Sequence, residues 1–342
     1  MLLQFILIGL LIFLAIMIGI ILLLGARAKA NLKARHLPPG EIIDIGGYKL
    51  HIYCQGEGGP TVVMDAGIAE YGLSWDLVQA EVARFTRTCV YDRGGLGWSE
   101  PSPKPRTNLV MVEELRALLG SAAIPGPYIL VGASLGGLNA RLYAYQYPEE
   151  VAGLVLVDAA HEEQYTSEGM RQSFEGILQM MPRMFGVLRF LVRTGLPALF
   201  PAPFKSMVPR DPKLSEQTAR AIYALHFMDV RYFKAAEAEM TSVPDSHAQI
   251  RDLGISSLGD VPMIVIQHGK YEQMQTPELT DLNEQTNRRQ QALVARQSTR
   301  GKLVVAEESG HAIQFEQPEV IISAIREVVE LARERAPSLA QV

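Results

Sequence analysis

Between residues 61 and 159, four short apolar runs alternate with segments of helical periodicity. They are "TVVMDAG" (61–67), "TCVYDR" (88–93), "YILVGAS" (128–134) and "GLVLVDA" (153–159). This alternation constrains the fold more than any other feature. A strand that is apolar at nearly every position is buried on both faces, and a parallel sheet covered by helices on each side achieves that burial. The chain therefore predicts an α/β fold with a mostly parallel sheet. Helices are expected near 72–85, 107–119 and 135–147, the last stopped near Pro148. Upstream, "EIIDIGG" and "YKLHIYCQG" read as a hairpin, with "GEGGP" supplying the next turn.

The alternation breaks after residue 159. Residues 160–255 hold helical patterns and several prolines but no convincing buried strand. It resumes with "PMIVIQH" (262–268), a helix near 278–297, "KLVVAEE" (302–308) and a last helix near 317–335. A chain of 342 residues suits one α/β domain carrying an insertion. The expected division is a core over 40–159, a helical cap over 160–255 and the rest of the core over 256–342.

The N-terminus has a different character. Residues 2–24 are apolar except for Gln4 and carry no charge. As a helix this run spans roughly 35 Å, enough to cross a bilayer core of about 30 Å. No Lys or Arg precedes it, and it exceeds the usual h-region of a signal peptide. Residues 1–26 are therefore expected to be a transmembrane anchor, with the lipid bilayer as partner, and 27–39 a linker ending in Pro38-Pro39. Arg27, Lys29, Lys33 and Arg35 follow at once, which by the positive-inside rule puts the domain in the cytoplasm. Cys54 and Cys89 pull the other way. They lie near the ends of strands that are candidate neighbours, and a disulfide there would imply an oxidising compartment. Buried free thiols are the commoner reading. A net charge of −5 without a basic run argues against a nucleic-acid partner.

Ser134 stands between two glycines where an apolar strand meets a helix, in "GASLGG". A sharp strand–turn–helix holds a serine in a strained conformation and needs glycines where side chains would collide. The Leu135 N–H then points toward a developing oxyanion at the start of a helix. A serine hydroxyl also needs a base. Of the seven histidines, His311 falls in a loop after the last strand and before the last helix, which delivers an imidazole to the same sheet edge. His268 follows a strand and is a further neighbour of that edge.

With these pieces the chain from about 40 to 335 resembles the α/β-hydrolase superfamily. "DAG", "YDRGGLGWSE", "GASLGG" and "SGH" carry the resemblance. It implies an eight-stranded, mostly parallel sheet with a helical cap inserted between strands six and seven. It also implies a catalytic Ser134, His311 and acid, in that fold's chain order. Gly67 and Ile68 match its oxyanion loop, making the Ile68 N–H a second donor beside Leu135, although Ala66-Gly67 replaces the common His-Gly. In "DRGGLGWS", Asp92 is expected to hold a turn. Two carboxylates compete for the acid: Glu272, three residues after the Gly that follows strand seven, and Asp158 at the end of strand six.

The expected function is hydrolysis of hydrophobic or lipid-like carboxylic esters through an acyl-enzyme. Acyl transfer, lactone opening and amide cleavage use the same triad and stay open, as does a non-catalytic, membrane-tethered binding module. Serine at the elbow argues against epoxide hydrolase chemistry, which in this superfamily resembles an aspartate mechanism. No metal cluster, phosphate loop or dinucleotide fingerprint is present in the sequence, so no cofactor is expected. From residue 176 to 210 there is no acid but five basic residues among many apolar ones, and seven of thirteen methionines lie from Met170 to Met240. That composition suits a pocket for a greasy group, an anionic membrane surface, or simply the packing of a cap.

Overall fold

The computed structural model describes residues 1–208, 212–271 and 276–339, the last four of these for backbone only. Glu272 lies outside the described residues.

Eight strands form one sheet: β1 (Glu41–Asp44), β2 (Lys49–Gln55), β3 (Thr61–Asp65), β4 (Thr88–Asp92), β5 (Tyr128–Ala133), β6 (Val151–Val157), β7 (Met263–His268) and β8 (Gly301–Ala306). Their spatial order is β1-β2-β4-β3-β5-β6-β7-β8. β2 runs antiparallel to both β1 and β4, and the rest are parallel. The helices are α1 (Leu2–Arg35), α2 (Asp76–Val82), α3 (Asn108–Ser121), α4 (Leu135–Gln146), α5 (Glu168–Thr194), α6 (Leu196–Leu199), α7 (Glu216–Phe227), α8 (Arg231–Thr241), α9 (Val243–Leu253), α10 (Pro277–Ala295), α11 (Ile313–Glu316) and α12 (Pro318–Leu339).

Why β5 and β6 are apolar at every position follows from their neighbours. Leu130, Leu154 and Leu156 point to one face, where they meet Leu118 of α3, Leu138 and Leu142 of α4 and Val294 of α10. Ile129, Val131, Val155 and Val157 point to the other, against Val78 and Val82 of α2 and Ile321, Ile325 and Val328 of α12. Each such side chain contributes about 1.5–3 kcal/mol on burial. β8, at the edge, leaves Leu303 and Val305 exposed.

α5 to α9 occupy the chain between β6 and β7. Their own core, including Leu188, Val192, Leu225, Phe227 and Phe233, packs on Tyr71, Leu96 and Phe315 of the body. The methionines of this region divide: Met170, Met181 and Met228 are buried, whereas Met180, Met184 and Met207 are exposed.

Two sequence expectations need correction. Residues 27–39 are not a linker over their whole length, because α1 continues through Arg35. Ala, Arg, Lys and Leu dominate 26–35 and favour the helix, and only 36–39 connect it to the sheet, where Pro38-Pro39 cannot continue it. Cys54 and Cys89 are not free thiols but a disulfide. They sit directly opposite each other in the antiparallel β2–β4 ladder, which brings their Cα atoms to 4.0 Å.

Candidate active site

Ser134 links β5 to α4 with φ 50° and ψ −114°, a conformation that L-residues rarely adopt. Its backbone is locked from both sides: its N–H donates to Val157 O (3.0 Å), and its carbonyl accepts from Ala160 N (2.9 Å). The flanking glycines are there for space. A Cβ on Gly132 would lie 2.1 Å from Gly136 O, and one on Gly136 would lie 2.3 Å from Asp65 O. The turn thus holds the serine up at the C-terminal edge of the sheet. Leu135 begins α4, so its N–H has no carbonyl of a preceding turn to bond.

The second candidate donor lies on the turn after β3. A Cβ on Gly67 would come within 3.7 Å of Ser134 Cβ, so the Gly67-Ile68 turn lies against the serine. Buried Arg93 holds that turn with its whole guanidinium. Nη1 donates to Asp65 Oδ1 (2.6 Å) and Ala66 O (2.7 Å), and Nη2 donates to Gly67 O (2.6 Å) and Glu239 Oε2 (3.0 Å). Nε donates to Glu239 Oε1 at 2.7 Å. Glu239, from α8, also accepts from Ala69 N at 2.8 Å. Below this turn, Glu70 accepts from Gly67 N (3.1 Å) and Gln314 Nε2 (3.3 Å), and burial raises its carboxyl above the usual range.

His311 occupies the loop between β8 and α11, and its Nδ1 meets Asp158 Oδ2 at 2.5 Å. Asp158 follows β6 with φ 41° and is buried. The same Oδ2 accepts from His268 Nδ1 at 2.7 Å. Burial alone would raise the Asp158 carboxyl, but hydrogen bonds from His268 and His311 hold it far below the ordinary carboxylate range. His268 Nε2 in turn faces both oxygens of buried Glu284 on α10, each at 3.1 Å. Both nitrogens of this ring therefore meet carboxylates, which only accept when ionised, so the ring donates twice as an imidazolium. Burial opposes that charge, yet Asp158 and Glu284 lift His268 to about 9.

The structure joins His311 to Asp158, and it sets the Gly67-Ile68 turn and the head of α4 beside Ser134. Asp158, His268 and His311 also form a group whose ligand atoms lie within 4.8 Å of one another. Its geometry is that of carboxylate–imidazole hydrogen bonding, with the Nδ1 atoms of both rings committed to Asp158. Elsewhere, a cavity of about 1780 Å³ opens between the end of α1, β2 and α7; Leu32, Trp98 and Tyr223 are among its lining, which includes neither Ser134 nor His311. Asp92 does what its turn requires, accepting from Gly72 N (2.8 Å), Trp98 N (2.9 Å) and His51 Nδ1 (2.8 Å).

Residues 60–318 match the family model for the alpha/beta hydrolase fold. The chain belongs to that family. As an α/β-hydrolase it is 24% identical over 242 residues to the Bacillus subtilis protein YbdG, covering 68% of this chain and 71% of that one. Two further curated relatives are longer, and the match spans 23% of one and 32% of the other. Among solved structures, a thermophilic esterase from Thermogutta terrifontis aligns with a TM-score of 0.57 at 22% identity, covering 85% of this chain and 98% of that one. The epoxide hydrolase CorEH aligns with a TM-score of 0.64 at 16% identity, over 84% and 97%. At such identities the likeness is one of fold.

Sequence reasoning missed three residues of this α/β-hydrolase site. Arg93 was visible only as part of "DRGG", and Glu239 and Glu284 sit in helices with no motif around them. The sequence signal nearest to them is His268 after β7, whose ring meets Glu284.

Proposed function

We propose that this α/β-hydrolase is a membrane-anchored serine hydrolase that cleaves carboxylic esters with hydrophobic acyl groups. The observation that carries the reading is the His311–Asp158 hydrogen bond, made at the sheet edge where the strained turn exposes Ser134. Asp158 fixes the ring with Nδ1–H toward itself, leaving Nε2 to act as base. Nε2 takes the Ser134 proton while Oγ attacks the ester carbonyl. The N–H groups of Leu135 and Ile68 hold the tetrahedral oxyanion. The imidazolium then protonates the departing alcohol, leaving an acyl-serine. Water, deprotonated by the same His311, releases the acid and restores the serine.

Serine rather than aspartate at the elbow supports acyl transfer over epoxide opening. Helix α1, apolar for most of its length and exposed throughout its most hydrophobic stretch, supports the anchor. The Cys54–Cys89 bond favours the oxidising side of the membrane, against the cytoplasmic side suggested by the basic residues after the run. Turnover of p-nitrophenyl esters of increasing chain length tests the reading. The wild type is expected to hydrolyse them with a preference for longer acyl groups, and Ser134→Ala to be inert. Unchanged turnover in Ser134→Ala would contradict it, and lactones, amides and acyl acceptors in the same assay separate the other uses of the triad.

A further inference from the structure

The apolar helix and the cap meet where the apolar run ends, at Gly25. Along α1, residues 1–20 are exposed; the first partly covered residue is Ile21, followed by Gly25, Ala28, Lys29 and Leu32. These spacings of three, four and seven make one stripe, and it lies against α6 and the end of α5. The approach is backbone to backbone. A Cβ on Gly25 would sit 2.1 Å from Thr194 O, and one on Gly195 (φ 77°) would sit 2.3 Å from Gly25 O. Lys29 Nζ donates to Arg193 O at 3.2 Å, closing the C-terminal end of α5. The α5–α6 corner is therefore fixed at the depth of Gly25, directly after the apolar run. In a helix that crosses a bilayer with residues 2–24, that depth is the boundary of acyl chains and headgroups.

From that corner α5 presents an uncovered apolar face. Ile177, Met180, Met184 and Val187 are all exposed and spaced three or four apart. Thr194, seven residues after Val187, continues the same line onto α1. Phe190 flanks it at 64% exposure, and Phe200, the residue after α6, is exposed as well. A contiguous face of this kind, away from any fold contact, marks an interaction surface. Its surroundings are cationic: Arg183, Arg193 and Lys205 are exposed, and no acidic residue occurs from 176 to 210.

We propose that this face of the cap lies in the headgroup region of the bilayer that α1 crosses, with its apolar side chains among the first acyl carbons and its basic residues on lipid phosphates. The inference rests on reading α1 as the anchor. It makes the cap a membrane-seated element, so that a greasy substrate would reach the enzyme from the lipid phase.

The test uses the full-length protein in vesicles of phosphatidylcholine and phosphatidylglycerol with brominated acyl chains, and reads quenching of introduced tryptophans. Phe190→Trp and Met184→Trp report the cap face, Phe13→Trp reports α1, and Leu303→Trp on β8 reports the far edge of the sheet. Seating of about 5–10 Å into the interface should quench Phe190→Trp and Met184→Trp by roughly half relative to unbrominated lipid. Phe13→Trp should be quenched more, and Leu303→Trp should be unchanged. Unquenched cap reporters with a quenched Phe13→Trp would overturn the proposal and leave the face to a protein partner or a second copy. An unquenched Phe13→Trp would overturn the anchor and the proposal together. Quenching at Leu303→Trp equal to that at Phe190→Trp would overturn it too, since the whole surface would then adsorb without orientation.

Discussion

Two histidines share one oxygen of Asp158, and they differ in everything else. His311 is exposed on a loop, and its Nδ1 is committed to Asp158. His268 is buried at the end of β7 and spends both nitrogens on carboxylates, Asp158 on one side and Glu284 on the other. In the proposed mechanism the first exchanges a proton, while the second holds one between two carboxylates. An acid that orients a catalytic base has to stay ionised and stay in place. Here an imidazolium with its pKa raised to about 9 stands behind the acid, and its hydrogen bond, with that of His311, keeps the Asp158 carboxyl low against burial.

The contrast is sharpest in the substitutions. His311→Ala should lower kcat/KM for esters by about 10⁴ or more, with little change in thermal stability because the side chain is exposed. A comparable loss from His268→Ala in folded protein, with His311→Ala still active, would exchange the two roles. His268→Ala should act on stability first. It leaves Asp158 and Glu284 buried without their shared cation, at a cost of about 3–5 kcal/mol. The folded fraction should lose roughly tenfold to a hundredfold in kcat through misplacement of Asp158. Urea unfolding and active-site titration separate the two effects.

The turn carrying Ile68 is held in the manner of His268, by buried charges rather than by local sequence. Glu239 reaches it from the cap through Arg93 and Ala69 N. Glu239→Gln, which keeps the shape but not the charge, should reduce kcat by about tenfold with KM nearly unchanged, since a donor to the oxyanion acts in the transition state. A change in KM alone would assign Glu239 to substrate binding.

The last expected effect is in pH. The pKa of His268 is raised from an ordinary 6.5 to about 9 in the folded protein. The stability it contributes is full below about pH 6.5 and is lost as pH rises through 9, because the unfolded chain releases that proton first. Thermal unfolding between pH 6 and 10 should fall more steeply for the wild type than for His268→Gln.

Much of this was legible in the chain. The sheet could be read because β5 and β6 are buried on both faces and so cannot alternate. Ser134 could be read because the elbow admits only glycine at positions 132 and 136, where neighbouring backbone lies within 2.3 Å of a would-be Cβ. His311 followed from its place after β8. Chain order admits both Asp158 and Glu272 as the acid, and it is the fold that brings Asp158 to His311. Glu239 and Glu284 were invisible, because their partners lie on other elements and no spacing records the contact. The disulfide depended on a strand register that no local pattern gives. Intact-mass measurement with alkylation before and after reduction should find Cys54 and Cys89 protected until reduced; free thiols would remove the argument for an oxidising compartment.

The central claim is that Ser134 is an activated nucleophile served by His311. A fluorophosphonate probe tests it most directly, applied to the full-length protein and to Ser134→Ala and His311→Ala. The account predicts labelling of the wild type, mapped to Ser134 by peptide mass, with none in either variant. A wild type that stays unlabelled by large and small probes alike, or labelling that persists in Ser134→Ala, would contradict it.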